Sequence, residues 1–174
     1  TKGALTAVKQ IAEMKVDVPM LAMTHCDAAK LSKQHGKKSE YALCASQWHK
    51  TLSYTDAFFK DGMTYDADFK KAFGYAPPYQ AAESSAALLV FKDAFERAND
   101  FNTKKVRNAL AKTDMQTFYG NIKFAEGGQN VSKPMVLFQV ICNSDGSKCE
   151  NKVVAPTKWA SAKLVHPTPS WSKR

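Results

Sequence analysis

Residues 113–140 read TDMQTFYGNIKFAEGGQNVSKPMVLFQV, and the arrangement of the whole chain follows from this stretch. A helix is expected to stop near Thr113. Phe118, Tyr119 and Gly120 carry a turn, and residues 121–124 run extended. Glu126-Gly127-Gly128 turns the chain again. Residues 135–142 form a short apolar run with branched and aromatic side chains, which predicts a strand. Helix, turn, short strand, turn and buried strand in this order suit a chain that closes one lobe and passes to another.

Upstream, Ala4, Leu5, Val8, Ile11 and Ala12 fall on one face of a helix predicted over residues 1–16. Asp17-Val18-Pro19 ends it, because proline cannot continue a helix and restricts the residue before it. Residues 20–24 are short and apolar, as in a buried parallel strand. His25-Cys26-Asp27 follows at its carboxyl end, with Asp27 placed to cap a helix over 28–35 that Gly36 closes. Residues 41–48 read as a second strand. This rhythm predicts an open α/β sheet with right-handed crossovers. Residues 50–112 then read as three helices without a strand. The first covers 56–73 and is interrupted near Gly62. Gly74-Tyr75-Ala76-Pro77-Pro78 breaks it from a second over 79–98, with Leu88, Phe91, Phe95 and Ala98 as one apolar face. The third, over 104–112, has Thr103 as its cap and Val106 and Leu110 inward. Strands return at Asn121, and a hairpin of 135–142 with 149–155 precedes an extended tail carrying Trp171.

The net charge is +9, from 25 basic and 16 acidic residues. The basic residues come at most in pairs (Lys37-Lys38, Lys70-Lys71, Lys104-Lys105) and are not interleaved with aromatics. That pattern fits a solvated surface and not a nucleic-acid groove. No apolar run approaches the roughly 18–20 residues that span a bilayer. The chain opens inside a helix with no signal peptide, so a processed or truncated product is expected. None of the four cysteines has zinc-site spacing. Asp145-Gly146 predicts a two-residue hairpin turn with both residues at positive φ, which sets Cys142 opposite Cys149. Opposed residues lie about 4.5–5.5 Å apart at Cα, within disulfide range. Closing that loop is worth about 2.5 kcal/mol and argues for an oxidising compartment. The alternative is two reduced cysteines in a hairpin. Cys26 and Cys44 are a second candidate pair.

Several stretches carry a family resemblance: Trp48 with Tyr54-Thr-Asp-Ala-Phe-Phe, then Phe69-Lys-Lys-Ala-Phe-Gly-Tyr-Ala-Pro-Pro-Tyr-Gln-Ala-Ala. Val106-Arg-Asn-Ala-Leu, Phe118-Tyr-Gly-Asn-Ile-Lys-Phe, Gly127-Gly-Gln-Asn and Pro167-Thr-Pro-Ser-Trp follow in the same order. The chain resembles the branched-chain amino-acid (Leu/Ile/Val) binding family of periplasmic substrate-binding proteins, which serve ABC transporters. The likeness covers essentially the whole chain but only the carboxyl-terminal half of a typical member. It implies an α/β, type I periplasmic binding protein fold: two lobes with parallel sheets flanked by helices, and ligand in the cleft. By resemblance, residues 1–49 belong to the second lobe and 50–133 to the first. Residues 134–158 make a hinge crossing and a second-lobe hairpin, and 159–174 are a tail. The helices of 50–112 would cover a sheet whose strands lie in an absent amino-terminal half. Their uncovered apolar faces then call for that half, a companion chain or a swapped oligomer.

Ligands in open α/β sheets sit at the carboxyl ends of strands. The candidate ligand-binding residues are therefore Thr24, His25 and Cys26 after the first strand, Trp48 after the second, and Tyr79 and Gln80 at a helix start. Where this chain has Thr24-His25, several family members carry an acidic residue that holds a ligand's amino group, so recognition of a standard amino acid is in question here. His25 and Cys26 are neighbours on an extended segment and point opposite ways, which suits proton transfer poorly. A Cys/His hydrolase is the remote alternative to a binding protein. No metal or cofactor is implied. The resemblance predicts an extracytoplasmic solute-binding protein, periplasmic or extracellular, that hands a small amino-acid-like or other organic ligand to an ABC transporter permease. A ligand-sensing domain of a receptor or regulator is the alternative on the same fold.

Overall fold

The apolar stripe from Ala4 to Ala12 folds as expected into a helix in the computed structural model, which describes residues 2–24, 26, 28–133 and 135–173. In chain order come α1 (Lys2–Glu13), β1 (Ala22–Met23), α2 (Ala28–His35) and β2 (Leu43–Ser46). Both strands are shorter than their apolar runs. Tyr41 sits at φ 67°, so the backbone turns there and a ladder cannot begin before residue 42. Asp27, the expected cap of α2, lies outside the described residues.

Next is a small hairpin of β3 (Thr55–Asp56) and β4 (Lys60–Asp61), where a helix was expected. The Asp56 carboxylate causes the difference: its Oδ1 accepts from Phe58 N at 2.8 Å and Phe59 N at 2.6 Å. Those donors are thereby satisfied outside a helix. The helix proper, α3 (Gly62–Phe73), starts where Asp61 Oδ1 accepts from Thr64 N at 2.7 Å. Gly62 is required there, because a β-carbon would lie 2.5 Å from the Lys50 carbonyl oxygen. Helices α4 (Tyr79–Ala98) and α5 (Thr103–Ala111) follow. The cap of α5 is Asn102 and not Thr103: its Oδ1 accepts from Lys104 N and Lys105 N. Strands resume with β5 (Asp114–Thr117) and β6 (Gly120–Lys123), earlier than the expected Asn121, and end with β7 (Val136–Cys142) and β8 (Cys149–Ala155).

Contacts divide the chain into two units, Thr1–Ser46 with Met135–Arg174, and Gln47–Pro134. In the first, a four-stranded sheet runs β1-β2-β7-β8, with β1 parallel to β2 and the other pairs antiparallel. Val136, Val140 and Val153 from the sheet are buried with Val8 of α1 and Leu31 of α2. Gln139, also fully buried, holds the tail: its side chain bonds the backbone of Tyr41 and both backbone groups of Val165. Trp171 Nε1 donates to Val16 O, and Trp171 N donates to Asp17 Oδ1. Cys142 and Cys149 face each other across β7 and β8 and are bonded. The turn between them differs from the two-residue form. Gly146 N donates to Asn143 O and only Gly146 is left-handed, at φ 70°.

In the second unit, α3 joins α4 through a 2.9 Å hydrogen bond between Tyr65 Oη and Ser85 Oγ. Arg97 of α4 holds Asp93 by two nitrogens and reaches Ala109 O and Thr113 Oγ1. The buried face of α4 is Ala82, Ala86, Val90 and Ala94. Leu88, Phe91 and Phe95, the apolar face that the resemblance leaves uncovered in this chain, are 69%, 47% and 38% exposed. Both stripes have helical spacing. The alanine stripe permits close approach to the unit's own elements, and the bulky stripe is left outside.

Candidate functional site

In the first unit, Thr24 follows β1 and is exposed, while His25 lies outside the described residues. Cys26 is bonded to Cys44 of β2, with the Cα atoms 5.5 Å apart. Its sulfur therefore has no proton to donate and cannot act as a nucleophile, which removes the chemistry of a Cys/His hydrolase. The bond instead fastens the segment after β1 to the neighbouring strand. All four cysteines are in disulfides.

In the second unit, Trp48 is buried at 5% exposure. Its ring stands edge-on to Tyr65 (centroids 5.8 Å) and Phe118 (6.1 Å). Tyr65 and Phe118 are 4.3 Å apart, and Phe59 joins both. Edge-to-face packing of this kind adds about 0.5–1.5 kcal/mol per pair beyond area burial. Trp48 is thus a core ring of this unit and presents no open face for stacking. The backbone of Phe118 is held by Asp56, whose Oδ2 accepts from Phe118 N at 2.6 Å.

Tyr79 begins α4, half-buried, and Gln80 beside it is exposed. Pro78 caps this helix without a side-chain bond. Glu83 lies one turn on from Tyr79 in α4, and Tyr119 lies in the turn between β5 and β6. Burial raises the Tyr119 phenol well above its ordinary range, and the negative charge of Glu83 and the neighbouring Tyr79 add to this. The Lys133 ammonium lies 4.0 Å from the Tyr119 ring centroid and donates to Gln47 O. Burial lowers the Lys133 amine to about 8, against the pull of Glu83. Gly120 has φ 148°, and a β-carbon on it would lie 2.6 Å from Lys133 Cδ.

The structure therefore sets Lys133 against Tyr119, within the electrostatic reach of Glu83, and sets Trp48 in the aromatic core. The cluster around Lys133 was not evident from sequence; only the Tyr119-Gly120 pair hinted at a close approach there. Among the described residues, no three His, Cys, Asp or Glu side chains could together hold a metal ion. No helix among them is long and apolar enough to cross a membrane.

Residues 1–147 match the family described as periplasmic binding protein. The chain belongs to that family. Members are binding proteins and not enzymes. Among solved structures, the chain is similar to a leucine binding protein from Thermotoga maritima, at 21% identity and a TM-score of 0.68, covering 88% of this chain and 42% of that one. It is similar to a leucine-, isoleucine-, valine-, threonine- and alanine-binding protein from Brucella ovis in its closed conformation. There the identity is 16% and the TM-score 0.71, with 97% and 44% of the two chains covered. It is also similar to a branched-chain amino acid transporter substrate binding protein from Streptococcus pneumoniae in complex with isoleucine. That match has 15% identity, a TM-score of 0.62, and covers 87% and 42% of the chains. These likenesses show the periplasmic binding protein fold, with mixed helices and strands. The chain spans less than half the length of each of these proteins.

Proposed function

We propose that this chain is the carboxyl-terminal part of an extracytoplasmic solute-binding protein. The protein captures a small amino-acid-like or other small organic ligand between two lobes and delivers it to an ABC transporter permease. One observation carries this reading: the chain leaves its first unit after Ser46 and returns to it at Met135, within a family of binding proteins. A chain passing twice between two bodies suits hinge closure on a ligand. The two disulfides fit an oxidising compartment, periplasmic or extracellular.

On this reading the second lobe takes residues 1–46 and 135–158 with 159–174 as its tail, and the first lobe takes 47–134, close to the bounds at 49 and 133 that the resemblance implies. Thr24, His25, Tyr79 and Gln80 are the proposed ligand contacts. Cys26 and Trp48 serve them by position, Cys26 through its bond to Cys44 and Trp48 through the aromatic core. The exposed Leu88, Phe91 and Phe95 are covered, on this reading, by the amino-terminal half or a companion chain.

A thermal-shift screen of the full-length protein with leucine, isoleucine, valine, amides and aromatic acids tests the proposal. A true ligand raises the melting temperature by mass action, by an amount that grows with its concentration. Absence of any concentration-dependent shift across the screen would count against ligand capture. A ligand-sensing domain of a receptor is the other reading of the same fold. A transmembrane or signalling segment in the full-length protein would favour it.

A further inference from the structure

The chain comes into its second unit at Gln47, and Lys133 stands one residue before that unit ends. Lys133 Nζ donates to Gln47 O, so the incoming and outgoing segments are joined across 86 residues of sequence. The lysine stem is held in a channel floored by Gly120. A β-carbon at 120 would meet Lys133 Cδ, Cε and Cγ at 2.6, 2.7 and 2.9 Å, so a side chain there would evict the lysine. The ammonium lies against the buried Tyr119 ring, a cation–π arrangement. The titratable groups that act on it are Tyr119 on the β5–β6 turn and Glu83 on α4, and Tyr79 on α4 acts in turn on Tyr119.

This amine is disfavoured as a charge where it sits, since burial holds it down to about 8. An apolar side chain would fill the channel without that cost, so stability alone does not account for a lysine here. What a lysine supplies and a methionine does not is the bond to Gln47 O.

The geometry points to Lys133 as a positioning residue that pins the two crossing segments of the second unit to each other. This inference does not depend on which ligand is bound.

Hydrogen exchange on the ligand-free full-length protein tests it, through the amides of residues 47–50 and 131–133. In Lys133→Met and Gly120→Ala these amides are expected to exchange about tenfold faster than in the parent, as loss of one charge-assisted bond implies. The remaining amides keep their rates, and Lys133→Arg retains most of the protection. Parent rates at these amides in Lys133→Met would overturn the proposal. A second comparison holds even if that variant fails to fold. Corrected for intrinsic exchange, protection of residues 47–50 in the parent should fall between pH 7 and pH 9 as the amine loses its proton, and should stay level in Lys133→Arg. Identical pH profiles in the two proteins would overturn the pin.

Discussion

Gln139 and Val165 exchange a reciprocal pair of hydrogen bonds: Gln139 Nε2 donates to Val165 O at 3.0 Å, and Val165 N donates to Gln139 Oε1 at 2.9 Å. The side-chain amide thus plays the part of one more strand residue, at a fully buried position on β7, and the tail is bound to the sheet through it. Gln139→Leu keeps the volume but leaves the Val165 donor and acceptor unpaired. The expected loss is about 2–4 kcal/mol of unfolding free energy, measured by urea denaturation. A loss below about 0.5 kcal/mol would show that water replaces both partners.

Asp56 acts as a single bracket for two turns, since Oδ1 serves Phe58 N and Phe59 N while Oδ2 serves Phe118 N. Asp56→Ala is expected to cost about 2–3 kcal/mol, and Asp56→Asn less, because the amide oxygen still accepts. Chemical denaturation of the two variants side by side checks the order. Equal costs would mean that charge, and not acceptor geometry, sets the contribution.

The two disulfides predict a definite redox response. This chain should show no reactive thiol under denaturing conditions before reduction, and four after it. On loop-closure entropy, Cys142→Ser with Cys149→Ser costs about 2.5 kcal/mol, and Cys26→Ser with Cys44→Ser about 3 kcal/mol. Mass spectrometry of alkylated protein gives the first result and thermal melts the second.

Acid should weaken the second unit in two stages. Burial lowers His49 from 6.5 to about 4, with Lys50 assisting and Asp66 opposing. Its folded pKa lies below its unfolded one, so between these values the unfolded chain binds more protons. Stability is then complete above about pH 6.5 and falls as pH drops toward 4, with a slope of at most about 1.4 kcal/mol per pH unit. Burial raises the Asp66 carboxyl, but hydrogen bonds from Lys70 (2.6 Å) and Lys50 (3.1 Å) outweigh it and hold it below its ordinary 3.8. Its share is present above 3.8 and is lost only as pH falls through that lower folded value. Urea midpoints from pH 7 to pH 4 should flatten in His49→Gln. Unchanged slopes would remove His49 as the source.

The two stripes of α4 predict opposite sensitivities. Ala86 is buried, so Ala86→Leu should overpack the unit and cost about 1–3 kcal/mol. Phe91 and Leu88 are exposed in this chain, so Phe91→Lys and Leu88→Lys should each change its stability by less than about 0.5 kcal/mol. Thermal melts of the three variants distinguish the faces.

Much of the fold was legible because it rests on local chemistry. The span of α4 follows from Pro78 before it and Asn99 after it, and the facing of Cys142 and Cys149 from the hairpin. The errors have physical causes. Asp56 diverted two backbone donors that the helical reading had assigned to a helix. Asn102 outcompeted Thr103 as a cap. On α4, the exposed aromatic stripe agrees with the uncovered face that the resemblance implies, while the packing of the alanine stripe within the unit was not read from spacing. The candidate site was legible only as strand ends and a helix start. Lys133 and Glu83 lie far from one another in sequence and on no motif.

The sequence by itself determined where most helices and strands run, the pairing of the hairpin cysteines, and the family order of its segments. Each of these depends on spacing and on neighbours a few residues away. Only the tertiary structure decided that Cys26 is spent on Cys44, that Trp48 is a core ring, and that Lys133 reaches Gln47. Those outcomes depend on which distant side chains share a desolvated space, and residue spacing along a chain carries no record of that.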